Sequence, residues 1–413
     1  MNIAVVGFGV VGKGVCHILL REARRLEQET GQPVVLKRIL DIQDITEAPY
    51  AALASKNAED VFTDSDIDLV CETIGGCGAA LSFTRQALSQ GKHVVTSNKE
   101  LVATHGVELL QLAYEKGVHY YYEAAVGGGI PLIKPIRECL AANKIDRLDG
   151  IINGTTNYIL SEMEKAGLDF ETALQQAQAL GFAEKNPTAD VEGIDACRKI
   201  AILTNLITGD YLNPDQILTE GISTLTQADA NLAEALGCVI KLVASLREQA
   251  DGRLAVSVAP RLIPRSHLLA SVHGVYNLVL LHGEYVNDVA FYGPGAGSLP
   301  TASAIVGDIL ACCMTPFSQA TAERWETGAS PDRYADLEQQ QVKAALNPRD
   351  QAAAELLRSE PAVKTLKAGI ATGTDGQSYV VAGQTGFLSE ADLAAFLGAR
   401  LAKNQVGVLR LLD

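Results

Sequence analysis

The run Ile3-Ala4-Val5-Val6-Gly7-Phe8-Gly9-Val10-Val11-Gly12-Lys13-Gly14 decides how the rest of the chain reads. Residues 3–6 are apolar and rich in β-branched side chains, as a short buried strand would be. A helical pattern follows over residues 11–29, with Val15, Ile18, Leu19 and Leu26 along one side. Strand, G-x-G-x-x-G and helix, in that order, form the dinucleotide-binding fingerprint. Gly7 permits the tight turn, and Gly9 lets the backbone approach a pyrophosphate whose charge the helix N-terminus favours. Gly12 lets helix and strand pack closely. The alternative is an inert glycine turn, which the preceding apolar strand disfavours.

Working outward, residues 34–40 read as a second strand ending at Asp41. A carboxylate there would bond ribose hydroxyls and lean towards NAD, whereas Lys37 and Arg38 close by could serve a 2′-phosphate. A third strand ends at Thr73 to Gly76, and ligands of doubly wound sheets bind at such carboxyl ends, which makes Thr73 and Gly75 cofactor neighbours. Cys71 and Cys77 flank that end without a basic partner and read as small core or loop residues. Residues 92–99 form another strand with Lys99 at its end, either a cation facing the cofactor or a surface lysine. A strand over 119–123 then ends in Glu123-Ala-Ala-Val-Gly-Gly-Gly-Ile-Pro131. The Glu123 carboxylate with exposed carbonyls would suit a hard cation, and a plain domain-crossing turn is an equal alternative.

From Pro131 the character changes. Residues 132–140 read as helical, 145–152 as a strand, and Asn153-Gly-Thr-Thr-Asn157 as a helix cap or a polar-ligand site. An amphipathic helix over 170–180 leads into Gly181-Phe-Ala-Glu184-Lys-Asn186-Pro-Thr, and on to a helix on which Asp195 and Lys199, four apart, share one face. Residues 217–258 read as helix-rich with a strand at 254–258, and 274–291 as a hairpin. A second glycine loop, 292–303, opens a helix to about 312, the kind of loop that closes on a ligand. Beyond Met314 the pattern is polar and helical over 318–357, strand-like over 370–382, helical over 389–401 and extended over 406–412.

With 413 residues, 47% hydrophobic, the chain can bury two or three cores. Its net charge of −15 disfavours nucleic acid or an anionic membrane as a partner. Eight scattered cysteines suit a reducing compartment, the histidines lack metal-ligand spacing, and no apolar run spans a membrane. The N-terminal strand does not read as a signal peptide. The expectation is a soluble, cytoplasmic protein.

Taken together, GFGVVGKG, DLVCETIGG, VVTSNKELVA, EAAVGGGIPLI, GIINGTTNYIL, LGFAEKNPTADVEGIDACRKIAIL and YGPGAGSLPTAS resemble homoserine dehydrogenase, in order, over residues 1–314. The resemblance implies a nicotinamide-dependent interconversion of L-homoserine and L-aspartate 4-semialdehyde, a branch point towards threonine, isoleucine and methionine. It implies that Gly7, Phe8, Gly9, Val10, Val11, Gly12, Lys13 and Gly14 bind the phosphates of NADP or NAD, with Thr73 and Lys99 near the nicotinamide and Gly295 in a loop closing over it. Glu184 would hold the substrate's amino group, and Asp195 and Lys199 would sit at the reacting hydroxyl. A monovalent cation such as sodium would be held by Glu123 and the carbonyls of Val126, Gly128 and Ile130. A homodimer through the second domain's sheet is also implied.

The chemistry stands on its own footing. Oxidising an alcohol needs a base for the hydroxyl proton while hydride leaves for the nicotinamide. No histidine is placed for this, and a lysine serves if its pKa falls from about 10.4. Lys199 is expected to exchange the proton, with Lys99 stabilising the alkoxide. Lys185, beside Glu184, adds a positive charge that fits this scheme poorly. Many bacterial members end in a small ligand-sensing domain with a Pro-Gly-Val-Leu turn, and residues 318–413 do not show it.

The expected fold is α/β: a Rossmann-type dinucleotide-binding domain (1–130), an α+β catalytic and dimerisation domain (131–292), a glycine loop and helix returning to the first domain (293–317), and a C-terminal extension of unassigned role (318–413). A dehydrogenase of another small amino or hydroxy acid and a catalytically idle NAD(P)-binding sensor are the alternatives. A cysteine-thioester semialdehyde dehydrogenase is disfavoured because no cysteine has a local base.

Overall fold

The computed structural model describes residues 1–319, 322–327, 333–335 and 409–412, with the strand backbones 341–342, 344–348, 369–372, 378–382, 388–389 and 406–408. The chain divides into two compact units. The first comprises Met1–Lys144, Ala201–Pro214 and Phe291–Ala329, and the second Ile145–Ile200, Asp215–Ala290 and Ser330–Asp413.

The first unit is built on six parallel strands: β1 (Asn2–Val6), β2 (Val35–Leu40), β3 (Ala54–Ser55), β4 (Leu69–Glu72), β5 (His93–Thr96) and β6 (Tyr120–Tyr121). They lie in the order β3-β2-β1-β4-β5-β6, which reverses direction at β1/β4 and so creates a doubly wound sheet. Strands β1 and β4 are buried almost throughout, as apolar runs in a sheet covered on both faces must be. The helices here are α1 (Val10–Arg21), α2 (Ala23–Thr30), α3 (Glu59–Phe62), α4 (Gly78–Ser89) and α5 (Lys99–Lys116). The single helix expected over 11–29 is broken at Glu22, whose φ of −100° and ψ of 10° leave the helical range. Lys99 does not end a strand. It is the first residue of α5, because Asn98 accepts the Leu101 amide at 3.0 Å and caps the helix there. The helix expected over 132–140 is present over residues 133–139, as an α start that runs into a π turn at Pro135–Cys139.

The second unit carries α6 (Gly154–Ala166), α7 (Phe170–Ala179), α8 (Thr188–Val191) and α10 (Gln227–Ala235), while α9 (Ile194–Thr208) gives residues 194–200 to it and 201–208 to the first unit. The helix α11 (Ser298–Met314) belongs to the first unit and packs on α1 through Ala302, Ile305 and Ile309. The second sheet contains β7 (Ile145–Ile151), β8 (Leu218–Thr219), β9 (Cys238–Glu248), β10 (Leu254–Pro264), β11 (Tyr276–Gly283) and β12 (Asn287–Pro294). The strand expected at 254–258 is present as the start of β10, while the helix-rich expectation for the rest of 217–258 gives way to one helix, short β8 and long β9, which pairs with β10. Along β9, Val239 to Leu246 are buried on both faces, so the alternation that marks a half-exposed strand is missing.

The C-terminal residues add β13 (Gln341–Val342), β14 (Ala344–Pro348), β15 (Gly369–Thr372), β16 (Ser378–Ala382), β17 (Leu388–Ser389) and β18 (Val406–Leu411). The second sheet runs β12-β11-β7-β9-β10-β18-β14-β16-β15. Its last four strands are antiparallel in the order fourth-first-third-second, the strand order of a ferredoxin-like module. The expected strands at 370–382 and 406–412 are present. Strands at 341–342 and 344–348 stand where the pattern read as helical, and the helix expected at 389–401 falls outside the described residues beyond Ser389. The module's recognisable feature is this strand order, which local patterning does not display.

Candidate active site

In the first unit the glycine turn is made of backbone. Gly7 has φ +99°, and a Cβ on Gly12 would lie 1.9 Å from the Gly7 carbonyl oxygen, so neither position tolerates a side chain. A Cβ on Gly9, by contrast, would meet nothing within 4 Å. Gly9 is also the N-cap of α1 and offers no side-chain acceptor to the first helical amides. Orphan amides beside open space are the cradle a pyrophosphate requires, so these residues fit a dinucleotide. Thr73 braces the turn by donating its hydroxyl to Gly7 O at 2.8 Å and Val6 O at 3.2 Å. Phe8 turns its ring onto Tyr50, 5.1 Å away, and so serves the turn through its backbone. Val10 is exposed and its carbonyl accepts the Ser298 hydroxyl at 2.6 Å. Val11 is half-buried, Lys13 approaches Glu47 at 3.6 Å, and Gly14 packs against Ser298 and Ala302.

The residues expected to choose between NAD and NADP have other partners. Asp41 accepts the Phe8 amide at 2.6 Å and the Gln43 amide at 2.8 Å, so it holds the turn itself. Lys37 pairs with Asp64 at 3.2 Å and Asp66 at 3.0 Å. The Nε of Arg38 is buried with no hydrogen-bond partner among the described residues. At the end of β4, buried Glu72 accepts the Ile74 amide at 2.7 Å and the Thr96 hydroxyl at 2.6 Å, and burial raises its pKa. Asn98 donates to Gly76 O at 2.7 Å, which ties this loop to α5 and half-buried Lys99. The Cys71 thiol is held well above its ordinary pKa by burial, so it is no nucleophile.

The Glu123 carboxylate is a loop anchor. It accepts the amides of Leu132, Ile133 and Lys134 at 2.6, 2.8 and 2.8 Å, while its own amide donates to buried Asp308 at 2.8 Å. Val126, Gly128 and Ile130 are buried, and among the described residues no hydrogen bond reaches their carbonyl oxygens. Buried carbonyls lacking amide partners are the donors a hard cation needs, so the loop fits one chemically. Gly128 lies against Gly295, whose carbonyl oxygen would be 2.5 Å from an added Cβ. Among the described residues no group of three or more His, Cys, Asp or Glu could hold a metal.

In the second unit the sequence pair Asp195–Lys199 is real and buried. Lys199 Nζ donates to Asp195 Oδ2 at 2.8 Å and to the Ile152 carbonyl at 2.8 Å, with side-chain exposures of 10% and 3% for Lys199 and Asp195. Asn153, the cap of α6, joins the same network, for its amide donates to Asp195 Oδ2 at 2.8 Å and to Asp190 Oδ1 at 2.7 Å. Its own carbonyl oxygen accepts the Thr156 amide and hydroxyl, both at 2.9 Å, so the side chain has no freedom to turn. Desolvating such a pair offsets much of its Coulomb gain, so a buried ion pair is weak evidence of a stability role. Ionisable groups gathered this way point to chemistry instead.

Asp190 and the bridging role of Asn153 were not legible in the sequence. The one available signal was the polar run Asn153–Asn157, which also reads as an ordinary cap. Glu184 lies on an exposed loop with Lys185 and Asn186, and its carbonyl accepts the Gln178 amide at 3.0 Å. Among the described residues no hydrogen bond or ion pair given for its carboxylate reaches the Lys199 network.

Beneath α6 lies fully buried Lys241, which donates to Val272 O at 2.6 Å and Asn157 Oδ1 at 3.1 Å. Burial pushes its pKa down to about 8.

Comparison with known proteins agrees with these features. Residues 7–123 match the family model "Homoserine dehydrogenase, NAD binding domain", and residues 131–310 match "Homoserine dehydrogenase". The chain is 44% identical to the homoserine dehydrogenase of Pseudomonas aeruginosa over 311 residues, 75% of this chain and 71% of that one. It is 40% identical to that of Bacillus subtilis over 316 residues, 75% and 72% of the two chains. Among solved structures, a homoserine dehydrogenase from Thiobacillus denitrificans superposes with a TM-score of 0.87 at 35% identity, covering 100% of this chain and 98% of that one. A hyperthermophilic archaeal homoserine dehydrogenase in complex with NADPH gives 0.65 at 26% identity, covering 77% and 99%. The chain belongs to the homoserine dehydrogenase family, nicotinamide-dependent oxidoreductases acting on the CH–OH group of L-homoserine.

Proposed function

We propose that Lys199 is the group that exchanges a proton with the substrate hydroxyl. The observation carrying this is the buried ammonium held between the Asp195 carboxylate and the Ile152 carbonyl. Asp195 orients the amine, and Asn153 keeps Asp195 in place. In homoserine oxidation Lys199, as the neutral amine, accepts the hydroxyl proton and becomes the ammonium, and in semialdehyde reduction the ammonium gives that proton to the forming alkoxide. When bound, the nicotinamide accepts or supplies the hydride. Gly7 to Gly14 hold the cofactor's phosphates. Thr73 and Gly295 belong to the cofactor site, with Lys99 contributing positive charge near the ring. Glu184 takes the substrate's amino group from its exposed loop. Either NADP or NAD serves, and the engagement of Lys37 with Asp64 and Asp66 removes one candidate for a 2′-phosphate.

Glu123, with the carbonyls of Val126, Gly128 and Ile130, holds a monovalent cation such as sodium. The enzyme works in the cytoplasm as a homodimer, a reading supported by β12, an edge strand of the second sheet, and by exposed Tyr285. Size-exclusion chromatography with light scattering measures that mass directly, and a monomer at working concentration overturns the dimer.

The decisive assay is homoserine oxidation with NAD+ and NADP+ in parallel, on wild type and Lys199→Met. The variant should lose about three orders of magnitude in kcat while binding cofactor normally. Near-wild-type turnover would remove Lys199 from the role. Turnover of another hydroxy acid and none of homoserine would favour a different substrate.

A further inference from the structure

The proton-handling network depends on the junction between α8 and α9, since Asp190 precedes it and Asp195 follows it, and Asn153 bridges the two. A short segment presses on that junction. Strand β8 pairs with β10 at Ser257 and Val258, and the Glu220 amide continues the pairing to Val258 O at 2.8 Å. Ile222 then donates its amide to Val191 O at 2.7 Å, at the end of α8. Contact there is tight enough that a Cβ on Gly221 would lie 2.3 Å from Val191 O and 2.5 Å from Glu192 Cα. A Cβ on Gly193 would meet Thr219 Cγ2 at 3.2 Å. Residues 218–222 therefore hold the turn from which Asp195 emerges.

What holds that segment from outside is the last strand of the chain. Strand β18 runs parallel to β10, with Arg410 opposite Arg261 and Leu411 opposite Leu262, and Leu412 donates to Leu262 O at 3.0 Å. From β18 the buried Arg410 guanidinium bonds the Glu220 carboxylate. The bond between the Arg410 guanidinium and the Glu220 carboxylate is charge-assisted and so stronger than a neutral one.

We infer that Arg410 and Glu220 are positioning residues, through which the terminal strand locks residues 218–222 onto the α8–α9 junction and so fixes Asp190 and Asp195 for Lys199. This rests on the reading of Lys199 given above. The pair touches neither substrate nor cofactor. It acts through backbone placement, and small misplacements of a catalytic group are costly to turnover.

The test uses the full chain with Glu220→Gln, Arg410→Gln, the double variant and the exchange Glu220→Arg/Arg410→Glu, with Arg85→Gln as a control that breaks the exposed Arg85–Glu108 pair. Each single variant should lower homoserine kcat about tenfold with the cofactor KM unchanged. The double should be no worse than the worse single, and the exchange should recover part of the loss. Hydrogen exchange of the peptide spanning residues 188–199 should quicken in both single variants and not in the control. Glu220→Gln leaves the terminal strand's sequence intact, so it answers even if Arg410→Gln disturbs folding of the tail. Unchanged kcat and unchanged exchange in a folded Glu220→Gln protein overturn the inference, as do additive losses. If Lys199→Met keeps near-wild-type turnover while exchange at 188–199 still quickens in the single variants, the clamp stands and the reading of Lys199 falls.

Discussion

The glycine turn of the first unit and the Lys199 network of the second do comparable work by opposite means. The turn is backbone, shaped by what is absent: no Cβ at Gly7 or Gly12 and open space over Gly9. The network is side chain, shaped by what converges: Lys199, Asp195, Asn153 and Asp190 from three helices. A backbone site fails when anything is added to it, whereas a side-chain site fails when anything is taken away.

The contrast breaks most readily at the turn. Gly12→Ala places a methyl 1.9 Å from a carbonyl oxygen and should destabilise the first unit by about 3 kcal/mol, seen as a lowered thermal melting point and lost cofactor binding together. Gly9→Ala should melt like wild type yet bind cofactor about tenfold more weakly in a fluorescence titration, because only the pyrophosphate approach is obstructed. Equal melting points for the two variants would show that Gly12 is not the packing contact.

In the second unit, Asn153→Ala removes both the bridge between Asp190 and Asp195 and the cap of α6. Loss of the cap should cost about 1 kcal/mol in urea unfolding, and loss of the bridge about tenfold in kcat/KM. Asn153→Asp keeps the cap acceptor but sets a third carboxylate against Asp190 and Asp195, so it should unfold at lower urea than wild type and turn over no better than the alanine variant. If Asn153→Asp is fully active, the bridge is not needed.

The smallest effect concerns Lys241. Its pKa is lowered from 10.5 to about 8 in the folded protein. From about pH 8 to 10.5 the unfolded chain therefore binds the extra proton, and this group adds stability as pH rises through that window. Below about pH 8 both states are protonated and the increment is absent. Urea unfolding of wild type against Lys241→Met at pH 7, 8.5 and 10 should show wild type gaining relative to the variant as pH rises. A difference that does not change with pH would mean that Lys241 is charged throughout.

The glycine turn was legible because its requirements are local, since strand, turn and helix lie within a few residues and glycine spacing encodes the approach of backbone to phosphate. Asp195 and Lys199 were legible as a pair because one helical turn separates them. The partners were not, because Asn153 and Asp190 reach the pair from distant positions and each also makes sense as a cap or a surface acid. Asp41 and Lys37 also have partners that the sequence does not display. Their placement suits ribose or phosphate, yet Phe8, Asp64 and Asp66 engage them. Strand β9 leaves no strand signal in the sequence because burial on both faces erases the alternation that identifies a strand.

By itself the sequence determined the doubly wound first sheet, the cofactor turn and the family, because these rest on short motifs whose chemistry is carried by neighbouring residues. Only the tertiary structure decided that Asn153 and Asp190 join the Lys199 hydrogen-bond network, that Glu123 spends its carboxylate on three amides, and that the terminal strand joins the second sheet and reaches Glu220. Each of those depends on groups brought together from far along the chain, where burial, hydrogen-bond supply and pairing register govern the outcome and local composition carries no record of it.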